Sequence, residues 1–192
     1  MAFLPQKALT KIVFATTFTL CHQICVMLTQ FFEVFLVDSE SMKNDFAQFV
    51  TSDSVMLLTG KNKLEVMDQL ISRAADLTKL DRDMIFRLIW KREQMMTTGV
   101  GGQLALPHIR VNDILHPFVI VGVCENAISD YQGQDDQPVR VIVFTVAPDE
   151  NQEAYLQLLS SISRRFRNPE LISALTEVES TDQIFALVQQ GE

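Results

Sequence analysis

Cysteine, basic charge and the signature loops of nucleotide enzymes are all scarce in this 192-residue chain. The cysteines number only three, Cys21, Cys25 and Cys124, an odd count without framework spacing that argues against disulfides and for a reducing compartment. Cys21, His22 and Cys25 fall near one helical face, but two thiols without a second ligand pair do not make a zinc site, and metal-ligand spacing is absent elsewhere. Lysine and arginine total 16 against 24 acidic residues, for a formal charge of −8. With no basic stripe interleaved by aromatics, nucleic-acid binding is set aside, and the acidic balance suits a basic protein partner. No Walker loop, no dinucleotide fingerprint and no Gly-x-Ser-x-Gly elbow occurs. Phosphate chemistry here therefore needs a donor other than a tightly held nucleotide, and no cofactor is expected. Internal repeats and low-complexity linkers are lacking too.

Charge is also missing locally. Ile12 to Phe32 contains no Asp, Glu, Lys or Arg, long enough to weigh as a membrane span. Lys7 and Lys11 precede it and acidic residues come after, an orientation that would place the rest of the chain outside. Three readings of residues 1–41 stand: a signal anchor, an extra helix, or a leader outside the functional protein, with Met42 as the start. The third is preferred, so the chain divides into an apolar appendage (1–41) and one globular domain (42–192), with membrane association only if the appendage is a true anchor.

From Met42 the pattern is α/β. Ser54 to Leu58 reads as a short strand closed by Gly60. Leu64, Met67, Leu70, Ile71 and Ala74 have helical spacing. Asp81 caps a second helix whose apolar face is Met84, Ile85, Leu88 and Ile89 and which ends near Arg92-Glu93. Pro117 to Val123 and Val139 to Ala147 are buried-strand runs, with Tyr131 to Gln137 a polar turn between them. Tyr155, Leu158, Leu159 and Ile162 form a helical stripe. Asn168 before Pro169, and Ser180 with Gln183, are start signals for two more helices. Cys124 reads as an inert core thiol, and Asp135-Asp136 as solvated.

The most informative stretch is Thr98-Gly99-Val100-Gly101-Gly102-Gln103-Leu104-Ala105-Leu106-Pro107-His108. Glycines let successive amides converge as an anion nest, and the strand after them ends in a proline-fixed histidine. A neutral imidazole there is a nucleophile for phosphorus, with the loop amides of Thr98, Gly99, Gly101 and Gly102 expected on the phosphoryl oxygens. Arg92 is the candidate guanidinium partner; Arg110 lies past the histidine with its direction open. His22 reads as a helix-face residue and His116 as a loop residue.

These residues resemble enzyme IIA domains of the mannitol/fructose type, from the bacterial phosphoenolpyruvate-dependent phosphotransferase system. The likeness runs through Arg92-Glu93, Thr98 to Gly101, Leu104 to His108, Asp136 to Val139, Tyr155-Leu156 and Ser180 to Val188. It covers Phe46 to Gln190 and is nearest in feel to the nitrogen-regulatory branch. The resemblance implies a mixed β-sheet flanked by helices with the histidine at a sheet edge. It implies a cytoplasmic phosphocarrier that takes a phosphoryl group from HPr onto His108, helped by Arg92. The group then passes to a IIB partner or serves as a signal to a regulatory target. Three positions depart from the pattern. Tyr155 stands where many members carry a second histidine, and Gln103 and Ile109 stand where glycine is frequent. A neutral tyrosine hydroxyl is a weaker donor than a charged imidazole by about 1 kcal/mol.

Overall fold

The computed structural model describes residues 46–133 and 135–190; the expected appendage, with Cys21, His22 and Cys25, lies outside them. In chain order the elements are β1 (Val55–Leu58), α1 (Lys63–Thr78), α2 (Arg82–Met95), β2 (Gly99–Gly101), β3 (Leu104–Ala105), β4 (His108–Val111), β5 (Phe118–Gln132), β6 (Pro138–Pro148), α3 (Gln152–Phe166), α4 (Pro169–Thr176) and α5 (Thr181–Gln189). The helix starts are where capping chemistry puts them. Asp81 accepts from the Met84 amide and Asn168 from the Glu170 amide, and Ser180 and Gln183 form a reciprocal capping box. In α1 the buried face includes Val66, while Leu64 is half exposed, so the apolar stripe begins two residues later than its spacing suggests.

Strands β5 and β6 form the antiparallel centre of a mixed sheet in the order β1-β5-β6-β3-β2. Strand β1 adds to β5 in parallel, with Val55 opposite Val121 and Leu58 opposite Cys124. On the far side of β6, β3 and β4 run parallel to it in succession, Leu104 opposite Val141 and His108 opposite Thr145. Leu106 and Pro107 break this line between the two short strands. The Pro107 carbonyl accepts from the Thr145 amide, so the proline costs the ladder no acceptor. Strand β4 has β6 as its one sheet neighbour among the described residues, which leaves its outer side an edge.

Both sheet faces are covered. Leu58, Ile109, Val111, Ile120, Ile142 and Phe144 pack with α1 and α2, and Val119, Val121, Val141 and Val143 pack with α3, α4 and α5. Burial on both faces explains the near-continuous apolar runs of β5 and β6. Ile109, at the position where glycine is frequent, is a core residue of the first layer. Cys124 is buried there, its thiol pKa pushed up to about 12 by desolvation, as expected for an inert core cysteine. Among the described residues no helix is long and apolar enough to cross a membrane.

Two expectations need correction. Strand β5 does not stop at Val123 but continues to Gln132 through an irregular register between Val123 and Ile128, where Glu125, Asn126 and Ala127 are exposed. Tyr131 therefore lies inside the strand, fully buried, and only the residues after Gln132 turn. Asp135 is not merely solvated: its carboxylate accepts from the amides of Gly102 (2.8 Å) and Gln137 (3.2 Å). The Gly102 bond is the chief reason its pKa lies below the ordinary value.

Candidate functional site

Alternation along β4 decides where its side chains go. Ile109 and Val111 are buried, so His108 and Arg110 leave on the opposite face. A cavity of about 470 Å³ opens there, lined by both residues, by Lys91, Arg92 and Met95 of α2, and by Tyr155 and Leu156 of α3. The structure thus brings together His108, Arg92 and Tyr155, three of the residues singled out in the sequence. Arg92 is held by its own helix end, one terminal nitrogen donating to the Met96 carbonyl at 3.0 Å. The Tyr155 ring meets the His108 ring edge-on, with centroids 6.1 Å apart.

The Nδ1 atom of His108 lies 2.7 Å from the Leu106 carbonyl. A carbonyl can only accept, so Nδ1 carries the proton and Nε2 keeps the free lone pair. Burial lowers the imidazole pKa from its ordinary value, the Leu106 bond opposes that, Arg92 lowers it further and Glu93 raises it. The ring is therefore neutral at pH 7, a nucleophile and not a cation. The Tyr155 pKa is pushed up to about 12 by burial, with Arg110 and Arg92 pulling the other way. It stays a neutral phenol.

The glycine loop is elsewhere. Thr98, Gly99, Gly101 and Gly102 are not among the residues lining this cavity. The anion that the loop holds is internal: the Asp135 carboxylate on the Gly102 amide. Gly101 and Gly102 take positive φ, as does Gln103 at 64°, where the loop needs a left-handed residue. A Cβ on Gly99 would lie 2.4 Å from the Gln132 carbonyl oxygen, so this glycine serves the close approach of β2 to β5. Thr98 is buried, its amide donating to both Glu93 carboxylate oxygens (3.0 and 3.2 Å) and its hydroxyl to one of them (2.6 Å). With its proton so committed, Thr98 Oγ1 accepts from the Tyr131 hydroxyl at 2.5 Å.

Glu93 also takes the Lys63 ammonium at 2.6 Å, and Lys63 lies 4.3 Å from the Tyr131 ring centroid. Burial alone would raise the Glu93 pKa, but the bonds from Lys63 and Thr98 and the Lys63 charge outweigh it and leave the carboxyl below its ordinary range. The site residues expected from the sequence do not include this network, although the sequence holds a signal of it. Ile85, Ile89 and Glu93 are spaced i, i+4, i+8, which puts the carboxylate in line with two core residues while Arg92 turns outward. Lys91, Arg110 and Asp149 also lack a sequence-level role, because the face of β4 is set only once its first residue is known.

The family model described as "Phosphoenolpyruvate-dependent sugar phosphotransferase system, EIIA 2" matches residues 48–191. The chain is 27% identical over 147 residues to the fructose-specific EIIABC component of this system in Bacillus subtilis, covering 76% of this chain but only 23% of that protein. It is 25% identical over 127 residues to a nitrogen regulatory protein of Bradyrhizobium diazoefficiens, covering 66% of this chain and 82% of the relative. Among solved structures, the nitrogen regulatory protein IIA-Ntr from Neisseria meningitidis superposes with a TM-score of 0.69 at 17% identity, covering 74% of this chain and 98% of that one. That likeness is one of fold.

Proposed function

This chain belongs to the EIIA 2 family of the phosphoenolpyruvate-dependent sugar phosphotransferase system, and we propose that within it His108 is the phosphoryl acceptor, charged by a phosphohistidine of an HPr-like carrier protein in the cytoplasm. The observation that carries this reading is the tautomer. Nδ1–H is tied to the Leu106 carbonyl, and Nε2 has no partner among the described residues, in a ring that lines an open cavity beside Arg92. The Nε2 lone pair attacks phosphorus in line while the donor's N–P bond breaks, its electron pair staying on the donor nitrogen. No proton has to move. The positive charge that builds on the ring is shared with Nδ1–H, where the Leu106 carbonyl stabilises it. Arg92, with a second terminal nitrogen to offer, neutralises the oxygens of the incoming group. Catalysis is positioning and electrostatics, as phosphoryl transfer requires.

Incubation with phosphoenolpyruvate, enzyme I and HPr should give the protein an acid-labile, base-stable phosphate that His108→Ala abolishes. Label that persists in the variant would overturn the assignment. One observation favours a second reading of the step after acceptance. Tyr155, a neutral group, occupies the place of a second histidine; on this reading the phosphoryl group is a signal to a regulatory partner and not cargo for a IIB subunit. Affinity capture with phosphorylated protein and with His108→Ala separates the two: partner sets that differ only by a IIB subunit support onward transfer, and sets that differ by a regulator support signalling.

A further inference from the structure

Tyr155 brings no charge to the cavity, yet a second guanidinium lines it beside Arg92. Arg110 lies two residues beyond His108 on the same face of β4. Its Cζ sits 5.4 Å from the centroid of the Tyr155 ring, whose edge contact is with His108. One aromatic ring thus stands against both the imidazole and the guanidinium. The Nε atom of Arg110 lies 3.1 Å from Asp149 Oδ1 in an ion pair, with both side chains partly exposed. Neither terminal nitrogen of Arg110 has a partner among the described residues. Asp149 therefore pairs with the Nε side of the guanidinium and leaves the terminal fork available. Arg92 enters from α2 and Arg110 from β4, so the two cations line the cavity from different elements.

We propose that Arg110 is the second cationic donor to the phosphoryl group carried by His108, supplying from the sheet edge the positive charge absent at the Tyr155 position, with the Tyr155 ring as its platform and Asp149 as its anchor. The inference rests on His108 being the acceptor. It goes further by naming which side chain balances the second negative charge of the phosphoryl group. Arg110 is offered as a group that touches phosphoryl oxygens, so its worth is read in rate and in the need for charge.

A small donor separates this role from partner docking. Phosphoramidate labels an imidazole directly: its P–N bond breaks with the electron pair leaving on ammonia, and the Nε2–P bond forms. The full chain, Arg110→Gln, Arg110→Lys and His108→Ala are each incubated with phosphoramidate, and phosphohistidine is tracked by phosphorus NMR. Arg110→Gln should be slower by roughly tenfold or more, the loss expected for one charged donor, and Arg110→Lys should recover most of the rate. A Gln variant within about twofold of the parent, or a Lys variant as slow as Gln, overturns the proposal while His108 keeps its role. Equal labelling of the parent and His108→Ala overturns the acceptor reading itself. A matched thermal unfolding curve for Arg110→Gln assigns any rate loss to the missing charge and not to a loss of fold.

Discussion

Arg92 and Glu93 are neighbours in sequence and opposites in use. Glu93 turns inward to a network in which every polar atom has a partner: Lys63, the Thr98 amide and hydroxyl, and through Thr98 the Tyr131 hydroxyl. Arg92 turns outward to a cavity where Nε2 of His108 and the fork of Arg110 are left unsatisfied. A closed polar cluster fixes geometry, because each member would be costly to strand. An open one keeps donors and a lone pair ready for a visitor. One helix end serves both. The closed cluster ties α1, α2, β5 and the residue before β2 together, and so fixes the last turn of α2, from which Arg92 lines the cavity of His108. Substitutions on the two sides should therefore register in different measurements.

Glu93→Ala is the largest break. It strands the Thr98 amide and hydroxyl in a buried place and takes the carboxylate from the Lys63 ammonium, whose side chain is 18% exposed. The cost should therefore approach the lower end of the roughly 3–5 kcal/mol of a broken buried pair. Denaturant unfolding checks this, and a loss under about 1 kcal/mol would mean that the network is not what holds the end of α2. The effect has a pH sign. Because the Glu93 pKa is lowered on folding, its contribution is present above the ordinary carboxylate value and disappears as the pH falls through the folded one.

Arg92→Gln comes next and belongs to the other region. Its side chain is only partly buried and its one bond is to a helix-terminal carbonyl, so stability should change by no more than about 0.5 kcal/mol. Phosphoryl acceptance should fall by roughly ten- to a hundredfold, the worth of a charged donor at about 1.5–3 kcal/mol. A variant that unfolds readily yet labels at the parent's rate would reverse the assignment of the two regions.

The same arginine sharpens a titration. Burial, then Arg92, lower the His108 pKa, so the ring should titrate below about 6.5, the ordinary histidine value. A base whose folded pKa is lowered binds its proton more readily when unfolded. Its contribution to stability is therefore complete above about 6.5 and lost as the pH falls through the folded value. Ring-proton NMR of His108 should show the low midpoint, and Arg92→Gln should move it upward. A midpoint at or above the ordinary value would show that the Leu106 bond and the Glu93 charge outweigh burial and Arg92.

How far apart the deciding residues lie governs which features are legible in the sequence. Asp81, Asn168 and Ser180 announce their helices because a cap and its amide are two or three residues apart. His108 and Arg92 are legible because the histidine ends a short, distinctive run and the arginine ends a periodic helix. The far half of β5 is not, since exposed Glu125, Asn126 and Ala127 interrupt the apolar run and the burial of Tyr131 depends on Thr98, 33 residues away. The glycine loop has the pattern of an anion nest, but only one of its glycine amides, that of Gly102, meets an anion among the described residues. Its anion is Asp135, also 33 residues distant, which no local pattern reveals.

The smallest effect makes the sharpest comparison, since one oxygen is removed from each region. Tyr131→Phe takes away the donor to Thr98 Oγ1 in the closed cluster. It should cost about 1 kcal/mol of stability, the net worth of a neutral hydrogen bond, and leave phosphoryl acceptance at His108 within about twofold. Tyr155→Phe removes a hydroxyl that has no partner among the described residues, so stability should stay within about 0.5 kcal/mol. The Phe ring still provides the face on which Arg110 rests and the edge contact with His108. Only the neutral donor to the phosphoryl group is lost, so labelling should slow by a few-fold, no more than about 1 kcal/mol in the barrier. Unfolding midpoints and phosphoramidate labelling rates, taken on the same two proteins, decide it. Should Tyr155→Phe slow labelling as much as Arg110→Gln, the hydroxyl and not the guanidinium would be the group that the phosphoryl oxygens meet on that side of the cavity.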